Sequence, residues 1–336
     1  MIPPALTLLL PGGIPMTFQR LPTVGDPKPF RMGERGLNWF GNASDPVVEV
    51  RIAQPFLMGT FPVTQAQFAA WIRESGGSHS NYFEGKPDHP AENMSWFEAT
   101  AFCVWLSRHG AIPKGWMACL PTEVEWEFAC RAGTETEYST GDGESALENV
   151  GWFDRNSDGS TRPVGAKVAN AYGLYDLHGN VWEWCHDLFE EFGLCSLPNG
   201  SVDPVAARRL REFSRYFSGE SIQSGDENPR RVLRGGSWSH TAWLCRSAIR
   251  DGYGADSRNL NFGFRVCLVP GPGAQGARGA KDRRAKPAPG AGGRGTRPKA
   301  DGAGKAVVRK RPQTQTNPRG NEVGSRRKRS KLGGAR

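Results

Sequence analysis

The sequence predicts an irregular α+β domain followed by a disordered, strongly basic tail, and three observations predict it. Residues 14 to 270 are rich in Trp, Phe and Gly, with short apolar runs between turn signals rather than long amphipathic repeats. Three segments in this region open on side chains that cap helices. After Val269 the large apolar residues shrink to Val307, Val308, Val323 and Leu332. The expected organisation is therefore a lead-in over 1–13, a domain over 14–269 and a tail over 270–336.

Met1-Ile2-Pro3-Pro4 and the run from Leu6 to Leu10 open the chain. They lack a basic start, and the apolar stretch is short and broken by Pro, which argues against a secretory leader. No apolar stretch reaches the roughly 20 residues of a membrane helix. Cytoplasmic residence is the expectation, with secretion as the alternative. The first helix is expected over 64–72, capped by Thr64 and placing Phe68, Ala69 and Ile72 on one face. The second runs over 95–106, where Ser95 and Glu98 make a capping box. The third runs over 121–130, with Thr122 as cap and Glu125 three residues on.

Beyond the domain the chain is Gly, Ala, Pro, Arg and Lys, and it cannot bury enough apolar surface to offset chain entropy. Residues 271–336 carry 19 Lys and Arg against 3 Asp and Glu, a charge of +16, which leaves −7 on the rest of the chain. The two parts cannot share one electrostatic role. Two basic clusters, Arg309-Lys310-Arg311 and Arg326-Arg327-Lys328-Arg329, suit non-specific adhesion to nucleic acid or another polyanion; a solvated extension is the plainer reading. The seven cysteines form no Cys-x-x-Cys pair, so a structural zinc site and a disulfide framework are not expected. Buried free thiols are.

The motifs lie in order along the domain. They are Phe61-Pro62-Val63-Thr64; His89-Pro90 leading to Met94-Ser95-Trp96; Leu120-Pro121-Thr122-Glu123-Val124-Glu125-Trp126-Glu127; Tyr172-Gly173-Leu174-Tyr175-Asp176-Leu177-His178-Gly179-Asn180-Val181-Trp182-Glu183-Trp184; Arg234-Gly235-Gly236-Ser237-Trp238; and Gly263-Phe264-Arg265-Val266. Gly173, Gly179, Gly235 and Gly236 offer backbone conformations closed to other residues. Trp182, Trp184 and Trp238 can fill a core that few regular elements support. Asp176 and Glu183 bracket a turn at a spacing suited to a loop-held calcium ion, or to loop hydrogen bonding without metal.

Taken together, these segments resemble the formylglycine-generating enzyme (sulfatase-modifying factor) family over roughly residues 14 to 269. The resemblance implies a C-type-lectin-like α+β fold. It also implies a structural calcium site at the Asp176 and Glu183 side chains with the Gly179 and Val181 carbonyls, and a second at Asn149, the Val150 carbonyl and Asp158. The oxidase of the family uses a copper(I) ion held by two cysteines, three and eight residues beyond the Ser of Gly-Gly-Ser. Here Ser237 is followed at those positions by His240 and Cys245, so one of the two soft thiolates is missing and copper is not expected. Ser237, His240 and Cys245 remain the catalytic candidates if the protein is an oxidase. The six His are scattered, unlike the His-rich iron-dependent relatives.

A binding role has its own support. Gly235 to Trp238, Cys245 to Ala248 and Gly263 to Val266 resemble the fixed skeleton of the variable proteins of diversity-generating retroelements. Adenine-directed mutagenesis of Asn codons does not reach Lys, Glu, Gln, Met or Trp, and between Ser239 and Phe262 there is no Lys, Glu, Gln or Met and one Trp, Trp243. Ser239, His240, Thr241, Trp243, Asp251, Tyr253 and Asn259 would suit a paratope for a protein or small-molecule ligand. The expectation is a binding scaffold rather than an enzyme, the alternative a metal-dependent oxidase that generates formylglycine in sulfatases.

Overall fold

A computed structural model describes residues 4–22, 29–34, 47–109, 112–189, 197–204, 206–217 and 228–271. The chain divides into two units, Met1–Arg284 and Ala285–Arg336, and every described residue lies in the first. The expected disordered tail therefore lies outside the described residues, apart from its first two positions. Among the described residues, no helix is long and apolar enough to cross a membrane.

The expected mixture of short helices and small sheets is what the chain adopts. A five-stranded antiparallel sheet has the order β1-β2-β5-β14-β6, from Ala5–Leu10 (β1), Ile14–Arg20 (β2), Leu57–Gly59 (β5), Trp116–Cys119 (β6) and Cys267–Pro270 (β14). The last strand thus enters between β5 and β6 and closes the domain. Residues read as a lead-in are part of this sheet: β1 pairs with β2 from Ala5↔Gln19 to Leu10↔Ile14. The alternation that buries Leu8 and Leu10 and exposes Leu9 is that of a half-buried edge strand, and Pro11-Gly12-Gly13 is its hairpin turn.

All three expected helices form, and each cap is made as read. They are α1 (Gln65–Ser75), α2 (Trp96–Arg108) and α3 (Glu123–Arg131), with reciprocal capping boxes Thr64/Gln67, Ser95/Glu98 and Thr122/Glu125. On α1 the buried apolar face is Phe68 and Ala70 rather than Ala69. Phe68 stacks on Phe102 of α2 at 5.8 Å, and Phe102 meets Phe264 at 5.4 Å, which ties both helices to the segment that leads into β14. Two helices escaped the sequence reading. α4 (Glu144–Val150) begins at Gly143 without a side-chain cap, and α5 (Ala206–Phe217) is Arg-rich.

A second sheet, β12-β11-β9-β13, carries the motif-rich segments: Trp182–Leu188 (β9), Arg230–Arg234 (β11), Arg250–Gly254 (β12) and Phe262–Gly263 (β13). A three-stranded sheet, β10-β4-β3, joins Phe30–Met32 (β3), Val48–Arg51 (β4) and Ser201–Val202 (β10), and a parallel pair joins Gly151–Trp152 (β7) to His178–Gly179 (β8). Between the layers lies an unusual density of buried charge. From α3, Glu123 pairs with Arg250 at 2.8 Å, Glu125 with Arg209 at 2.8 Å and Glu127 with Arg131 at 2.8 Å and with Arg234. Such pairs strongly constrain geometry, because breaking one leaves an uncompensated buried charge.

Candidate functional site

The site grows out of the turn that leaves β11. Gly235 and Gly236 both have positive φ, +98° and +72°. A Cβ on Gly236 would stand 2.6 Å from Cys245 Sγ and 2.8 Å from the Leu244 carbonyl. Only glycine lets this turn close onto the short 3₁₀ helix Ala242–Cys245. That closure buries Cys245 completely, and the burial pushes its thiol far above the ordinary range. Cys245 is a protonated, sealed side chain whose Sγ lies 4.0 Å from the Ser237 carbonyl.

His240 returns to the same turn. Its N–H donates to the Ser237 carbonyl at 3.1 Å, and its Nδ1 lies 2.5 Å from Ser237 Oγ. Ser239 Oγ is 3.2 Å from Ser237 Oγ, and Asn261 Nδ2 donates to both hydroxyls at 3.2 and 3.4 Å. Trp182 meets the His240 ring edge-on at 5.6 Å. Burial holds the imidazole below its ordinary pKa, so this cluster is neutral at pH 7. Asn261 is 6% exposed and its Oδ1 has no partner, an acceptor left open beside the hydroxyls. Asn261 was not singled out from sequence, although it sits inside the stretch that was. A buried Asn between two apolar residues was the signal.

The candidate ligand-binding residues fall into separate groups. Ser239 and His240 share the Asn261 cluster. Asn259, two residues away, is exposed and accepts at its carbonyl from the Asn93 and Phe262 amides. Asp251 and Tyr253 lie on the edge strand β12, with Tyr253 44% exposed and 5.0 Å from the Phe262 ring. Thr241 is exposed at the start of the 3₁₀ helix, and the half-buried Trp243 lies under the Arg246 guanidinium at 5.9 Å. Bordering the cluster is an aromatic wall that the sequence did not indicate: Phe83 packs on Trp238 at 5.3 Å, and Tyr82 beside it is 65% exposed.

The residues expected to hold metals are arranged otherwise. Copper(I) does not fit: the histidine bonds a serine and the thiol is protonated and enclosed. Calcium at Asp176 and Glu183 does not fit either. Both Glu183 oxygens accept from Arg265, at 2.7 Å each, and Oε2 also accepts from Trp126 Nε1 at 2.6 Å. Arg265 spends its remaining donors on the Gly59 and Tyr175 carbonyls. A guanidinium supplies the positive charge that a calcium ion would bring. Asp176 accepts from the Gly165 amide and Asn180 Nδ2, and burial lifts its carboxyl to about 6. Gly179 belongs to β8 and Val181 to the turn before β9.

At the second expected calcium site, Asn149 turns its amide back onto the Ser145 carbonyl, and Val150 ends the same helix α4. Asp158 is exposed and paired with Arg162. Lys167 donates to the Glu148 carbonyl at 2.7 Å while its ammonium lies 4.0 Å from the centre of the Trp152 ring. Here too side-chain cations stand among the expected ligands. Among the described residues, no group of three or more His, Cys, Asp or Glu is placed to hold a metal.

Comparison with known proteins identifies the family and the fold. A family model described as a sulfatase-modifying factor enzyme 1-like domain matches residues 23–269. The formylglycine-generating enzyme of Streptomyces coelicolor is 33% identical over 213 residues, covering 59% of this chain and 57% of that protein. The inactive C-alpha-formylglycine-generating enzyme 2 of Bos taurus is 32% identical over 217 residues, covering 60% of this chain and 57% of that protein. The chain thus spans little more than half the length of either relative. The solved structure of Treponema denticola variable protein 1 superposes with a TM-score of 0.61 at 24% identity, covering 80% of this chain and all of that one. The fold is C-type-lectin-like, of the formylglycine-generating-enzyme type, and the chain belongs to the family of sulfatase-modifying factor enzyme 1-like domains.

Proposed function

We propose that this domain is a ligand-binding scaffold of its family and does not generate formylglycine. The observation that carries the reading is the site after Gly-Gly-Ser. One thiol position holds His240, bonded to Ser237, and the other holds a sealed, protonated Cys245. The family's oxidase holds its copper(I) with two thiolates, the soft ligands this ion favours. What the same loops do present are exposed hydrogen-bonding groups, Ser239, Thr241 and Asn259, and two exposed tyrosines, Tyr253 and Tyr82. Small polar groups with rigid aromatics are the chemistry of a paratope, as in a variable protein of a retroelement. That an inactive formylglycine-generating-enzyme relative aligns as well as an active one agrees with this reading. The competing reading, a metal-dependent oxidase, draws on the names of the active relatives.

Incubated with copper(I), oxygen, a reductant and a Cys-x-Pro-x-Arg peptide, the purified chain should yield no aldehyde by mass spectrometry. Turnover that disappears in Cys245→Ser would overturn the scaffold reading. For location the proposal is the cytoplasm, with secretion as the alternative.

The basic tail adds weak, sequence-independent adhesion to nucleic acid. No aromatic follows Phe264, so stacking on bases is not expected. Each phosphate contact releases counterions, so affinity should fall by orders of magnitude between about 50 and 200 mM salt. A salt titration of DNA binding, with the full chain and with residues 271–336 deleted, measures this. Equal binding by both, or binding indifferent to salt, shows that the tail is not the contact surface.

A further inference from the structure

The six cysteines among the described residues that are recorded as free are all buried. The register of the five-stranded sheet places two of them face to face: Cys267 of β14 pairs directly with Cys119 of β6. Directly opposed residues on antiparallel strands have Cα atoms about 4.5–5.5 Å apart, and their side chains leave the sheet on the same face. A disulfide spans Cα separations of roughly 4.4–6.8 Å. The register therefore brings this pair within reach of a disulfide. The local electrostatics agree that they are neighbours, since Cys119 is among the groups that push the Cys267 thiol upward, after burial and Glu125. Cys103 also lies near Cys119, which joins burial in pushing the Cys103 thiol upward, but only Cys267 stands opposite Cys119 in the sheet register. Cys103 projects from α2, Cys130 sits against His178, Cys185 is on β9, and Cys245 is enclosed by the Gly236 turn.

We propose that Cys119 and Cys267 are a disulfide site, joined when the chain folds in an oxidising environment. An external small-molecule disulfide such as oxidised glutathione is the oxidant. The Cys119 thiolate attacks one of its sulfurs, forming a mixed disulfide and releasing one glutathione thiol. The Cys267 thiolate then attacks Cys119 Sγ and expels the second glutathione. Two protein thiols are oxidised, one glutathione disulfide is reduced to two thiols, and the two protein protons end on the released glutathiones. The timing follows from burial. In the folded domain the Cys119 thiol is pushed up to about 12, so almost none of it is thiolate at pH 7 and the native protein reacts slowly. The bond closes during folding, as β6 and β14 pair and before the surrounding chain buries the thiols.

The bond would staple the strand that ends the domain to the edge strand beside it. β14 is held by hydrogen bonds to β5 and β6, and the chain leaves it toward the basic tail. A covalent link there closes a long loop and so restricts the unfolded chain. It would make domain stability depend on the redox compartment in which the chain folds.

The test is refolding of the full chain from denaturant in a reduced and oxidised glutathione buffer. Free thiols are then blocked, and the protein is digested without reduction for mass spectrometry. The expected result is a Cys119–Cys267 linked peptide, with a Tm that falls by several degrees on adding reductant. Cys119→Ser and Cys267→Ser should each show the reduced Tm with or without reductant. Folded protein without the linked peptide, a link that uses Cys103 instead, or a wild-type Tm indifferent to reductant overturns the proposal. If dilution recovers no folded protein, the chain exported to a bacterial periplasm is mapped in the same way and judged by the same outcomes.

Discussion

Replacing Glu183 by Ala is expected to lower the Tm by about 10 °C or to prevent folding. Glu183 is fully buried, takes two hydrogen bonds from Arg265 and one from the Trp126 indole, and the loss of its carboxylate strands all three donors. A guanidinium left buried without its partner costs about 3–5 kcal/mol, and an unsatisfied indole N–H adds roughly 1–3 kcal/mol. Arg265→Ala should do comparable damage from the other side. The double replacement Glu183→Leu with Arg265→Met should recover much of the loss, because removing both charges leaves nothing uncompensated. The two single effects should therefore be far from additive. The same experiment decides the calcium question. With Arg265 in place, excess chelator should leave the wild-type Tm unchanged. A chelator-induced fall in wild type that is absent from Glu183→Ala would mean that Arg265 yields the carboxylate to a metal ion, and the ion-pair account would be wrong.

What was legible in the sequence was local. Thr64, Ser95 and Thr122 announced their helices because a capping box is made within four residues and owes little to the rest of the fold. The positive φ angles of Gly173, Gly179, Gly235 and Gly236 were legible for the same reason. α4 starts on a glycine without a side-chain cap, and α5 carries Arg209 inward to meet Glu125, against the rule that arginine marks the solvent face. β1 was read as a lead-in, yet what makes it a strand is its partner β2.

The site shows the same division. The acidic pair Asp176 and Glu183 was visible as two carboxylates bracketing a turn. The partner that decides its chemistry, Arg265, lies 82 residues beyond Glu183, and no spacing rule reaches so far. Likewise the substitution of His240 for a thiol could be read directly, whereas the sealing of Cys245 depends on how closely Gly236 lets two loops approach.

Relative to Asp187→Asn, wild-type stability should fall as the pH rises from about 5 to about 8. Asp187 is buried on β9, where its Oδ2 accepts from the Glu123 amide at 2.8 Å. Burial, joined by the nearby Glu123 and Glu125 charges and opposed by that amide and by Arg209, raises its carboxyl to about 7. In the unfolded chain the group titrates near 4. Between these values the folded state holds a proton that the unfolded state has released, so stability falls with rising pH. The contribution is fully present below about 4, is lost as the pH rises through about 7, and amounts to a few kcal/mol at most. Asp176, raised to about 6, acts with the same sign. His178 and His186 are held down near 4 by burial and act oppositely, losing stability as the pH falls below about 6.5. Wild type alone would therefore show a maximum, and the informative quantity is its difference from Asp187→Asn, in which these other groups cancel. Asn keeps the acceptor for the Glu123 amide and cannot ionise. The variant should match wild type at pH 5 and exceed it by several degrees in Tm at pH 8. An equal difference at both values would show that Asp187 does not change its charge across this range in the folded protein.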